Sequence, residues 1–307
     1  MEPLINSGAP FRRRNAPDLG ISLKRLPRLV RAGRLRRVLR DVYVDSGVAD
    51  EPLLRATAVA LVMPAGGVIC RRTAAWLFGI DAYAPDERDR LLDVECVVPA
   101  GFTPCRRDGV LGVSALLTPD DVVLCNGIPV TTPTRTAVDL ARWAPRPMGL
   151  AALDAFCHAG ITTLPELEDC VGKFPGFRWI AKARALVAVT EPLTESPGES
   201  WLRLRIIDAG FPRPRPQIEI CDARGVLVYR IDLGYDSLRL GLEYDGMEFH
   251  DSRRDQEQDQ ARRESLRRDF GWNVIGFHRG HVLGRFPHVE LAVGELLGQA
   301  PVLPRRW

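Results

Sequence analysis

The sequence predicts an α+β chain in three parts. A winged helix-turn-helix and a mixed α/β module make up the N-terminal and middle regions, and an α/β domain with a central mixed sheet follows. Three observations carry this reading. The first 45 residues hold eleven Lys and Arg against four acids (Glu2, Asp18, Asp41, Asp45), although the whole chain carries only +3. The middle alternates short apolar runs with prolines and glycines. Near the C-terminus, two alternating runs at 226–233 and 238–245 flank the turn formers Asp236 and Ser237, which is the pattern of a hairpin. A length of 307 residues suits two or three domains, and the composition shifts put them at 1–47, 48–190 and 191–300.

The basic segment opens with a short helix ended by Gly20, and Ser22 is placed as the N-cap of a second helix. Leu23, Leu26, Leu29 and Val30 recur at helical spacing, with Lys24, Arg25, Arg28 and Arg31 around them. Pro27 would break a helix running from Ser22, so the helix is expected to begin near Leu26 with Pro27 in its first turn. Two short strands follow, carrying Arg34, Arg36 and Arg37 and turning at Arg40 and Asp41. Helix, basic helix and basic hairpin describe a winged module whose cations neutralise DNA phosphates and release counterions. The alternative is a solvated basic helix or a presequence-like amphipathic end.

The middle predicts helices at 53–63, from Arg71, and at 134–143, 149–158, 165–173 and 177–189, with strands at 92–98, 110–116 and 122–130. Arg71, Arg72, Arg135 and Asp139 are candidate polar contacts to a partner, or else caps and ion pairs. Seven cysteines lie scattered without a C-x-x-C pair, which argues for small buried thiols in a reducing compartment rather than disulfides or zinc. The chain shows no signal-peptide core, and its longest apolar run, 56–70, is too short to span a bilayer. A cytoplasmic protein without a membrane partner is expected. The tail PVLPRRW reads as loose.

In the third part, strand alternation puts Gly241, Glu243 and Asp245 on one face, with Asp232 able to join them from the paired strand. Clustered carboxylates repel unless a cation or proton sits among them, and Mg²⁺ prefers such a site. A hard metal beside an imidazole, here His250, suits phosphodiester hydrolysis. A solvated sheet face is the alternative, and a basic side chain of the protein among these acids would leave nucleic-acid binding alone. Upstream, TESPGE offers Ser196 as an N-cap and Glu199 as its capping-box partner. Gln217, on the strand before the hairpin, is a candidate for orienting a water or phosphate.

These residues carry three resemblances. Asp232, ten intervening residues, then Glu243-Tyr244-Asp245 resembles the carboxylate pair of the PD-(D/E)xK restriction-endonuclease superfamily. The continuation YDG-x-x-FH, Asp259, Arg262, Leu266 and Gly271-Trp272-Asn273-Val274 is similar to the branch containing the very-short-patch (Vsr) repair endonuclease. That resemblance spans about 195–282 and implies a restriction-endonuclease-like fold and a Mg²⁺ (or Mn²⁺) cofactor. It further implies Asp232 and Glu243 as metal ligands supported by Asp245 and Glu199. The superfamily's lysine position holds Asp245, and in the Vsr-like branch histidine takes over, which assigns general acid–base work to His250. The segment with Gly33, Leu35 and Val42-Tyr43-Val44 resembles the winged helix of AbiEi-type antitoxins of type IV toxin–antitoxin systems, with Asp41 replacing a turn glycine. The stretches ICRRTAAWLFGI and GIPVTTPTRTAVDLAR are similar to the effector half of those antitoxins.

Together these imply a DNA-binding protein with a metal-dependent endonuclease domain, in repair or defence. The alternative, motivated by the missing lysine, is an antitoxin-like repressor whose nuclease fold is silent. Double-stranded DNA is the expected partner, with a cognate toxin and a homodimer left open.

Overall fold

The computed structural model describes residues 8–82, 84, 85, 87, 92–246 and 253–307, with residues 253–259 as backbone only. Among these residues the chain is α+β, with eleven α-helices and three sheets. It divides into two compact units, Met1–Leu140 and Ala141–Trp307.

In the first unit, Phe11–Arg12, Val42–Asp45 and Leu35–Leu39 form a three-stranded antiparallel sheet. The turn between the last two needs a left-handed residue, and Asp41 supplies it at φ 74°. Arg12 holds the Asp41 carboxylate at 3.2 Å. The basic helix is one short piece, Leu26–Arg31, with proline in its first turn as the sequence requires. The helix expected before Gly20 is instead two 3-10 turns, Arg13–Asn15 and Pro17–Leu19. Pro17 lacks an amide proton and interrupts any α-helical ladder across that short stretch.

A six-stranded mixed sheet follows in the order Arg106–Arg107, Val110–Ala115, Val94–Pro99, Val68–Ile69, Ile128–Thr131, Val122–Cys125. Helices Pro52–Ala60 and Arg71–Leu77 contribute Ala56, Val59 and Ala74 to a core shared with Val94, Cys96 and Val130. Leu39 and Val42 of the first sheet belong to that same core. The run 122–130, read as a single strand, is a hairpin turning at Asn126 (φ 50°) and Gly127 (φ 75°). Asn-Gly is the strongest short hairpin signal, because both residues accept the left-handed backbone that the turn demands.

The second unit is organised around helix Pro197–Asp208, of whose 12 residues ten are buried. Such burial explains why its charged side chains are paired. Arg203 meets Asp154 at 2.6 Å, and Arg205 donates to the Val282 carbonyl at 2.7 Å. The tail is tied down as well, since Trp307 Nε1 donates to Asp208 at 2.8 Å and its ring stacks under Arg205. An aromatic ring with a guanidinium to stack on gains enough to order an otherwise polar end.

One face of this helix packs on a four-stranded sheet ordered Arg215–Cys221, Leu227–Tyr235, Leu240–Asp245, Asn273–His278. The first three strands are antiparallel and the last pair is parallel, which makes the sheet mixed. Trp201, Leu202, Leu233, Leu242 and Phe277 fill that side, while Ile218, Ile231, Leu266, Trp272 and Val274 form a separate cluster with helix Arg253–Phe270. Gly198 lets the helix start approach the sheet, because a Cβ there would lie 2.0 Å from the Tyr244 ring. Gly198→Ala is therefore expected to lower stability by about 1–3 kcal/mol through overpacking, measured by chemical denaturation.

Candidate nucleic-acid interface and carboxylate cluster

On the first unit, Lys24, Arg25, Arg28 and Arg31 are exposed on and beside helix Leu26–Arg31, whose apolar side, Leu26 and Leu29, is buried. Arg37 and Arg40 are exposed on the neighbouring hairpin and Arg34 is half-buried. Arg36 differs from them. It donates to the Val48 carbonyl at 3.2 Å and lies 3.6 Å from Asp50, so its charge is already engaged within the chain. Arg135 is engaged completely: its side chain is 2% exposed and is held by Asp121 at 3.1 Å and Asp139 at 2.9 Å. It is a core residue and offers nothing to a partner. Arg71 and Arg72 both pair with the buried Glu95, at 3.8 and 3.3 Å.

On the second unit, the expected hairpin forms with Leu233 opposite Leu242, and one step further the count brings Asp232 opposite Glu243. The Tyr244 amide donates to Asp232 Oδ2 at 2.9 Å. On the other side, the same count places Gln217 across from Asp232. Gln217 has φ 48°, a conformation that costs a residue with a side chain about 1–2 kcal/mol. The strand's alternation breaks here, for Ile231 and Leu233 fall in different core clusters although two residues apart. Through this break Gln217 Nε2 reaches Glu199 Oε2 at 2.8 Å. Glu199 Oε2 also accepts from the Glu195 amide at 3.1 Å, while Ser196 caps the helix by accepting from the Glu199 amide at 3.2 Å. The expected capping box is therefore only half made, since the Glu199 carboxylate takes the Glu195 amide and not that of the N-cap Ser196.

Arginines of helix Arg253–Phe270 then decide the electrostatics. Arg262 binds Glu243 with both terminal nitrogens, at 2.8 Å to Oε2 and 2.7 Å to Oε1, and its charge reaches Asp232 as well. Arg263 lies 3.3 Å from Asp245. Burial, above all, lifts the Asp232 carboxyl to about 7. The Tyr244 amide opposes that rise, the charges of Glu199 and Glu243 add to it, and Arg262 opposes it. His250 and the side chain of Asp259 lie outside the described residues.

Structure thus gathers Glu199, Gln217, Asp232, Glu243 and Arg262, and sets Asp245 apart with Arg263. Asp232 feels the charges of Glu199 and Glu243, yet among the described residues no three His, Cys, Asp or Glu converge to hold a metal. A resident Mg²⁺ needs carboxylate oxygens open toward it. Here Arg262 occupies both oxygens of Glu243, so the donors as arranged do not fit one. The alternation pattern could place the acids but gave no sign of their partner, because Arg262 is matched to Glu243 only by the packing of a helix over the sheet. No helix among the described residues is long and apolar enough to cross a membrane.

Residues 67–189 match the protein family described as the AbiEi antitoxin C-terminal domain. The matched stretch runs from the six-stranded sheet into the helices of the second unit and ends before the carboxylate cluster. Two proteins of Mycobacterium tuberculosis, uncharacterized protein MT2308 of strain CDC 1551 / Oshkosh and uncharacterized protein Rv2248 of strain ATCC 25618 / H37Rv, are each 32% identical to this chain over 250 residues. The alignment covers 80% of this chain and 86% of each relative. The chain belongs to the family of these mycobacterial proteins.

Asp232 yields a signed pH prediction. Its folded carboxyl binds a proton up to about 7, whereas the ordinary value is 3.8. Between those values the folded state holds the extra proton, so its stability falls as pH rises from about 4 to 7. Asp232→Asn keeps an acceptor for the Tyr244 amide and abolishes this loss. The variant should match or trail the wild type at pH 4 and gain on the order of 2 kcal/mol relative to it by pH 8, read from denaturation midpoints across pH.

Proposed function

We propose that this protein is an antitoxin-like transcriptional regulator that binds duplex DNA through its basic N-terminal segment and pairs with a cognate toxin. The observation that carries this reading is the antitoxin-family match over 67–189, downstream of a segment that exposes Lys24, Arg25, Arg28, Arg31, Arg37 and Arg40. Phosphate contacts of this kind supply affinity and orientation without reading sequence. The self-neutralised acids of the second unit support a binding role for that fold rather than hydrolysis.

The test is binding to the DNA upstream of the protein's own gene across a range of salt. Log affinity should fall linearly with log salt, and replacing Lys24, Arg25, Arg28 and Arg31 by Gln should reduce the slope by about one for each lost phosphate contact. Binding that ignores salt, or that these replacements leave intact, would overturn the reading. A nucleotidyltransferase-like neighbouring gene product that co-purifies with the chain would support the toxin partnership.

A second reading, the Mg²⁺- or Mn²⁺-dependent endonuclease, is favoured by one observation. Gln217 is strained, and its Oε1 is buried with no donor among the described residues, as an acceptor awaiting a bound water would be. It requires Arg262 to leave Glu243. Wild-type protein is expected not to nick plasmid in either metal. Nicking that disappears in Asp232→Ala would restore the enzyme, with Asp232 and Glu243 as ligands and His250 as the proton-transfer group.

A further inference from the structure

The first unit contains a cavity of about 730 Å³ whose lining is almost wholly charged. Arg13, Arg37 and Arg40 enter it from the N-terminal segment, and Arg106 and Arg107 from the edge strand of the six-stranded sheet. Among the described residues only two acids share the space, Asp41 and Asp108, and Asp41 is already held by Arg12 at 3.2 Å. None of the five arginines has a carboxylate partner among the described residues. Five guanidinium groups facing one space repel one another unless an anion joins them.

The fold holds this arrangement in place. Arg107 pairs with Val110 across the two-residue turn Asp108-Gly109, where Gly109 takes φ 79°. Gly112 permits the edge strand to close in, because a Cβ there would lie 2.3 Å from the Cys105 carbonyl oxygen. Gly109 in turn abuts Leu39 of the N-terminal sheet, and Arg107 Nη1 donates to the Arg40 carbonyl at 3.0 Å. The two basic segments are therefore locked side by side, and Arg107 is half-buried while the other four arginines stay exposed.

We propose that Arg106 and Arg107 act with Arg13, Arg37 and Arg40 as one cradle for the phosphate backbone of duplex DNA. The inference rests on the DNA-binding reading above and carries it into the stretch that matches the antitoxin family. Guanidinium forks fit phosphate oxygens two at a time, which suits a run of phosphodiesters. Tyr43 contributes the one aromatic surface, too little apolar lining for a cavity built around a small organic ligand.

The experiment is fluorescence anisotropy of the full chain on a promoter duplex and a random-sequence duplex over a range of KCl. The proteins are the wild type, Arg106→Gln, the Arg106→Gln/Arg107→Gln double variant and the Arg106→Lys/Arg107→Lys double variant. Each Gln should lower the salt slope by about one on both duplexes, and the Lys pair should keep most of it. Arg107→Gln removes the bond to the Arg40 carbonyl and can loosen the hairpin, so the single Arg106→Gln variant, which breaks no observed bond, carries the decision. A wild-type slope in Arg106→Gln and the double variant, while wild type binds with salt dependence, removes this inference and leaves the proposed function standing. Wild type that shows no salt-dependent binding removes both. Competition by pyrophosphate or a nucleoside triphosphate that is lost in Arg106→Gln, with DNA binding unchanged, reassigns the cavity to a small phosphate ligand and overturns the proposal.

Discussion

Glu243 sits almost fully buried on a central strand, where an unpaired charge is costly. The chain supplies the cation itself: Arg262 lies across the strand and engages both oxygens. The contact ties the helix that carries Arg262 to the acid, with the guanidinium itself only half-buried. Leu266, one turn further along, is wholly buried against Ile218, Ile231 and Val274, and holds the same helix from its apolar side. Whatever the second unit does, it does with this guanidinium in place or by displacing it.

The neighbouring groups follow from that constraint. With Arg262 committed to Glu243, burial lifts the Asp232 carboxyl to about 7 against the opposing Tyr244 amide and the more distant charge of Arg262. Glu199 has no arginine partner among the described residues and is stitched instead to a backbone amide and to Gln217, whose left-handed backbone brings its side chain across the strand. Asp245 lies over Gly276, where a Cβ would come within 2.1 Å of its carboxylate, and meets Arg263 there. Three acids that share a motif in the sequence thus end in three different electrostatic states. On the first unit the balance is reversed, with exposed arginines lacking acids. An anionic partner is the complement of that surface, and nucleic acid is the commonest polyanion a basic module meets.

Much of the fold was legible. Helix Arg71–Leu77 and the start of the basic helix at Leu26 agree with their patterns, because Pro27 and the apolar spacing act locally, although the N-cap of the basic helix is Arg25 and not the expected Ser22. The hairpin pairing Leu233 with Leu242 follows from period-two alternation and the turn at Asp236–Leu238. The errors have equally local causes. Asn126-Gly127 was a turn inside an apolar run, and Pro17 stopped a helix. Arg106 and Arg107 went unnoticed because their strand is two residues long, although the Asp-Gly turn after them was a usable signal.

By itself the sequence determined the α+β character, the basic N-terminal end, the strand pair with its acids, and the resemblance of the stretches 69–80 and 127–142 to an antitoxin domain, since these depend on residue types at short spacing. Only the tertiary structure decided which charges remain available. Arg36, Arg135 and Arg262 are indistinguishable in composition from Arg37 or Arg40, yet the first three are engaged by groups brought near them in space and the last two have no carboxylate partner among the described residues. Whether an arginine meets an acid of its own chain or is left for an anion depends on how helices and strands distant in sequence pack together, and no local pattern records it.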